Sequence, residues 1–139
     1  MRYLLQVVAA LFLAVLFSSC NNYIYRINQD NARDVIKEIR VSQIKFKKEY
    51  GRYGTLRDLI DKGYIDKKFQ SGMDNGYKFQ IRANISSYSA TATPIEYGAT
   101  AYKGTGGISI YVDETGVIRE ADKKGLEAGP NDHPVEEQD

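Results

Sequence analysis

A second cysteine is missing from this chain, and so is a second histidine. With Cys20 alone, no disulfide can form within the chain, and the fold must rest on packing. With His133 alone there is no well-placed imidazole to activate a serine or cysteine, and too few Cys/His ligands for zinc. Charge of one sign is lacking too: 19 Lys/Arg against 18 Asp/Glu leave a formal net charge of +1. Nothing in that balance draws the chain toward nucleic acid or another polyanion, and no nucleic-acid partner is expected. The apolar run from Tyr3 to Phe17, broken by Gln6, falls short of the roughly 20 residues that carry a helix across a bilayer. Disulfide scaffolds, zinc enzymes, triad hydrolases and electrostatic nucleic-acid binders are thereby set aside, and a permanent transmembrane anchor is disfavoured. No cofactor is expected.

What is present fits one ordinary domain with short appendages: 139 residues, 42% hydrophobic and 27% charged. The charge is unevenly placed. Residues 33–68 carry eleven Lys/Arg against six Asp/Glu, whereas beyond Gly125 there are five acids and no Lys or Arg.

The N-terminus has the layout of an export signal, with Arg2, then the apolar run, then Ser18-Ser19-Cys20. Phe17-Ser18-Ser19-Cys20 resembles the lipobox of bacterial lipoproteins. That resemblance implies a diacylglycerol thioether on Cys20, cleavage just before it, and acylation of the new amino group. One acyl chain holds a protein only marginally at a membrane; two or three hold it stably. Asn21, in place of Asp, implies transfer to the outer membrane if the host is Gram-negative. Ordinary cleavage leaving a free thiol, and an uncleaved signal anchor, remain as alternatives.

Periodicity divides the rest. Residues 1–19 read as the signal peptide and 20–31 as a polar tether. A helix then places Ala32, Ile36, Ile39, Phe46 and Tyr50 on one face and Arg33, Lys37, Arg40, Lys47 and Lys48 away from it, ending at Gly51. Thr55 and Asp58 form a capping-box pattern for a short helix that Gly63 closes. After the turn formers of residues 70–76 the period becomes two, predicting strands at 77–83, 88–93, 108–112 and 117–120. From Lys123 the chain is charged and contains Gly and Pro, so 123–139 reads as a disordered acidic tail. The expected fold is α+β, with a long N-terminal helix and a short helix packed on a four-stranded antiparallel sheet over residues 32–122.

Several runs resemble the globular part of type IV pilin-like proteins and type II secretion pseudopilins. They are Ser42-Gln43, Tyr50 to Leu56 with Leu59, Asn75 to Phe79, Ser89 to Pro94 and Tyr111 to Arg119, in order across residues 32–120. The resemblance implies a pilin-like head and no enzyme. The prepilin-peptidase site, and the long apolar helix with a Glu near its start, have no match here; a lipid signal and a polar tether stand in their place.

Two binding chemistries deserve weighing. Some pseudopilins hold calcium with loop oxygens, and Asp113 with Glu114, or Asp74 with Asn75, could supply them; turns use the same residues without a metal. The basic helix face could meet headgroups or nucleic acid, but Asp34, Glu38 and Glu49 interleave with the bases, as on a solvated face. Gly104 to Gly107 is not a phosphate loop, since no Lys-Ser/Thr and no helix follow it. The expectation is a lipid-anchored envelope protein that acts as a structural or protein-interaction module. A small-ligand or calcium-binding envelope lipoprotein is the alternative, and an enzyme stands last.

Overall fold

The computed structural model describes residues 2–98 and 104–135, with 2–22 described through the backbone. Residues 1–50 contain neither glycine nor proline, so no residue breaks a helix there. They accordingly form α1, Arg2–Tyr50, 49 residues without interruption, about 73 Å at 1.5 Å per residue. Gly51 ends it at φ +71°, its N–H donating to Lys47 O at 2.9 Å. Residues 20–31, expected as a tether, are thus the middle of this helix. Two of their polar side chains, Asn28 and Gln29, turn inward instead of marking a linker. Asn28 Nδ2 donates to Thr105 O at 3.0 Å, and Gln29, buried, accepts from the Gly107 N–H at 3.2 Å.

Helix α2, Leu56–Asp61, begins with the expected capping box. The Thr55 hydroxyl accepts from the Asp58 N–H at 3.2 Å, and the Asp58 carboxylate accepts from the Thr55 N–H at 2.9 Å. A 3-10 turn follows at Lys67–Ser71, capped by Asp66 and closed by Gly72 at φ +72°.

The antiparallel sheet has six strands, not four, laid out in sequence order. β2 (Tyr77–Ala83), β3 (Tyr88–Pro94), β4 (Ser109–Asp113) and β5 (Arg119–Ala121) are the expected set, shifted by a residue or two at their ends. Two-residue edge strands add β1 (Met73–Asp74) and β6 (His133–Pro134). Neither is long enough to display a period of two. β1 joins β2 through Asn75-Gly76, both at positive φ, the two-residue hairpin that best suits strand twist.

One sheet face packs on α1. Tyr77, Phe79, Tyr88, Ala90, Ala92, Ile110 and Val112 meet Ala32, Ile36, Ile39 and Phe46 there, with Leu59 of α2 and Phe69 closing one side. The opposite face also holds buried residues, Thr91, Ser109 and Tyr111. Residues 122–135 lie in an ordered path along this side, which corrects the expectation of a disordered tail from Lys123. Ser109 Oγ donates to Leu126 O at 2.7 Å, Arg82 holds Glu127 through two bonds of 2.9 and 3.1 Å, and Ala128 is buried. Arg119 then donates to Asp132 O, and Val135 N to Ile118 O at 2.8 Å. Lys123 and Asp132 pair within the segment at 3.2 Å, and with these bonds to the sheet it forms a strap.

Candidate functional site

Cys20 lies within the helical backbone of α1; its thiol lies outside the described residues, as do Glu136, Glu137 and Asp139 of the expected tail. The loop carboxylates weighed for calcium are occupied by their own turns. Asp113 Oδ1 accepts from the N–H and hydroxyl of Thr115, and its Oδ2 accepts from Tyr111 Oη at 3.0 Å. Glu114 reaches back to the Tyr88 N–H at 3.2 Å. Asp74 takes Lys68 and Asn75, each at 3.1 Å. Among the described residues no group of three or more His, Cys, Asp or Glu is arranged to hold a metal.

The basic face of α1 is used largely to fasten the head. Arg33 grips Glu120 of β5 through Nε at 2.8 Å and Nη2 at 3.1 Å, and also meets Asp30. The Glu120 hydrogen bond holds the Arg33 guanidinium still more firmly protonated, against the opposing effect of burial. Arg40 donates to Gly116 O at the tip of the β4–β5 turn, and Lys47 to Gly51 O and Ile85 O. These three cations therefore act as rivets between helix and sheet loops.

The glycine-rich loop after residue 103 has a packing cause that the residue pattern did not disclose. A Cβ at Gly106 would collide with the Tyr77 hydroxyl, and one at Gly107 with that of Tyr25. The two glycines make room for tyrosines from β2 and α1, and Tyr77 Oη donates to Ile108 O at 2.9 Å. Burial pushes the Tyr25 phenol up, assisted by the charge of Asp122. Asn28 lies at the same corner, beside Thr105 and Gly76. The signal available in sequence was the Gly106-Gly107 pair together with two tyrosines, but nothing local linked them across 29 and 82 positions.

Beyond that corner, toward Cys20, three apolar residues of the helix are exposed. Tyr23 is 68% exposed, Ile24 57% and Ile27 39%, with Arg26 exposed among them. At 100° per residue these three apolar positions cover an arc of about 100°, with Tyr23 and Ile27 turned away from Ala32, Ile36 and Ile39 of the core and Ile24 beside the core-facing side. Across the corner stands Ile95, 50% exposed, whose N–H donates to Gly76 O at 2.9 Å. Tyr23, Ile24 and Ile27 thus form an exposed apolar strip on the helix near Cys20, a clustering that periodicity over the core-forming face did not single out.

Elsewhere, a surface groove of about 600 Å³ runs between α2 and the 3-10 turn, lined by Leu56, Arg57, Ile60, Asp61, Lys67 and Gln70. Arg57 and Asp61 approach each other there at 3.6 Å. Among the described residues no helix is long and apolar enough to cross a membrane. Comparison of the chain with protein-family models, with characterised proteins and with solved structures finds no match.

Proposed function

We propose that this chain is a lipid-anchored protein of the bacterial cell envelope, tethered through Cys20, whose pilin-like head is a structural or protein-interaction module. The observation that carries the proposal is the long helix itself, which runs out of the head toward the lipobox cysteine while its other half packs across an antiparallel meander. A head built in that way is displayed, and its surface is what it offers. Arg33, Arg40 and Asp113, charged groups singled out in the sequence, are engaged in rivets and a turn, which supports a structural use for them. Asn21 supports residence in the outer membrane of a Gram-negative host.

The unbroken helical backbone through Cys20 favours one second reading, in which residues 3–19 stay attached as an apolar anchor. Mass spectrometry of the mature N-terminus, with Cys20→Ala as control, separates the two. An acylated cysteine as first residue supports the lipid anchor; an unmodified Cys20 in a chain still carrying residues 3–19 supports the alternative and overturns the first. The interaction role is tested by crosslinked pull-down from membranes. Specific recovery of the same envelope protein across growth conditions is expected, and recovery of none counts against the role.

A further inference from the structure

Resting on the lipid-anchor reading, we infer that Tyr23 and Ile24 of α1 are seated in the membrane interface, so that the helix holds the head at a fixed height above it. The distances carry this. Helical rise places Tyr23 about 4.5 Å, Ile24 about 6 Å and Ile27 about 10.5 Å beyond Cys20 along the axis. The polar layer between hydrocarbon and water is roughly 5–7 Å thick on each side of a bilayer. With acyl chains on Cys20 drawn into the hydrocarbon, Tyr23 and Ile24 fall inside that layer, and Ile27 lies about 3–5 Å above it.

The chemistry fits the place. Tyrosine favours the interface, where its ring meets acyl chains and its hydroxyl meets water, and Arg26 can carry its guanidinium to phosphate on an apolar stem. A helix that merely hung in water would gain nothing from exposing Tyr23 and Ile24 by more than half. No slack separates anchor from head, because α1 continues from Cys20 to Asn28 and Gln29, which bond the 105–107 loop. Ile95, whose N–H bonds Gly76 O beside Asn28, stands higher, at the corner where the helix meets the sheet. The opposite end, with Ile85 73% exposed beside Lys47, then faces away from the lipid.

The chain contains no tryptophan, so single reporters are clean. Full-length chains carrying Tyr23→Trp, Ile24→Trp or Ile85→Trp are produced in a host that processes lipoproteins, checked for acylation by mass, and reconstituted into phosphatidylethanolamine/phosphatidylglycerol vesicles. The first two are expected to emit to the blue of Ile85→Trp, and to be quenched at least about twofold more by shallow than by deep nitroxide lipids. Because tryptophan itself favours the interface, a second readout leaves residues 23–27 native. A dye on Ile85→Cys, transferring energy to acceptors at the lipid surface, is expected to report a narrow height near 40 Å, the rise from Cys20 to Lys47. That distribution should broaden in the Ile24→Asp/Ile27→Asp background. Acylated, vesicle-bound protein with water-like emission at position 23, or with a broad height distribution in the native background, overturns the seating alone. An unmodified Cys20 overturns the lipid anchor and the seating built on it.

Discussion

Gln43 is a polar residue in the middle of an apolar face, and its side chain is fully buried. Its amide stitches the helix to the chain beyond Gly51: Nε2 donates to Gly54 O at 2.6 Å, and Oε1 accepts from the Gly54 N–H at 2.9 Å. Gln43→Leu keeps most of the volume but leaves both backbone groups of Gly54 unpaired in the core. Each such orphan costs about 1–3 kcal/mol, so urea unfolding should show a loss of about 2–4 kcal/mol. Ile44→Ala, one position along at 62% exposure, should stay within about 0.5 kcal/mol. Asp58 offers a pH test. The Arg52 guanidinium, then the Thr55 backbone N–H, holds its carboxyl well below the usual carboxylate range. A depressed folded pKa stabilises above the unfolded value of about 4 and is lost as pH falls below it toward the folded value. Thermal melts should therefore show a smaller drop in Tm between neutral and acid pH for Asp58→Asn than for the unaltered chain. The capping box was legible because its residues lie three apart. Gln43 was not, since a polar side chain on an apolar helical face announces burial only once its partner, eleven residues on, is known.

Among the elements, the strap of residues 122–135 was the least visible in advance. Its composition, with Glu127, Gly129, Pro130 and Asp132, is that of an unstructured tail, and periodicity found nothing because the strap is held by scattered bonds. Arg82 reaches Glu127 across 45 positions and Ser109 reaches Leu126 across 17. The exposed Arg82–Glu127 pair contributes little by itself, so the buried Ala128 is the better target. Ala128→Asp should release the strap by placing an unpaired charge against the sheet. Hydrogen exchange is expected to quicken at Val135, bonded to Ile118, while the β2–β3 ladder keeps its protection. Loss of protection at both together would mean that strap and sheet form one cooperative unit. The β2–β5 strands, by contrast, could be read directly, because alternation is strong wherever one face is buried. The edge strands β1 and β6 are fixed by a turn and by the strap, not by their own residues.

For the whole molecule, the change of period at residue 76 disclosed a helix on an antiparallel sheet, and Gly51 disclosed where that helix ends; its start was missed, because the polar residues of 20–31 read as a tether although they lie within α1. The apolar end near Cys20 was hidden, because it depends on which side of the helix the sheet covers. Tyrosines also set a limit for the whole molecule. Tyr77 and Tyr88 lie in the core, where burial pushes their phenols up, and burial with the Asp113 hydrogen bond pushes Tyr111 up to about 12. Groups raised in the folded state stabilise fully below the unfolded value of about 10 and cease to do so as pH climbs through the folded one. Alkaline titration should accordingly show cooperative unfolding above about pH 10, with the phenolate absorbance of the buried tyrosines appearing together with loss of the sheet. A gradual rise in phenolate with the sheet intact would contradict it.

The strap also has a meaning in time. A ribosome completes residues 122–135 only after the four main strands they fasten. Until then the Ser109 hydroxyl, which bonds Leu126 O in the finished fold, looks out on water; Thr91 Oγ1, buried on the same face, has no hydrogen-bond partner among the described residues. The nascent sheet is therefore wettable on its back while it waits, and gives up that hydration in the last step. A late cover over hydroxyl-bearing strands leaves a half-made chain less sticky than one whose second face were aliphatic.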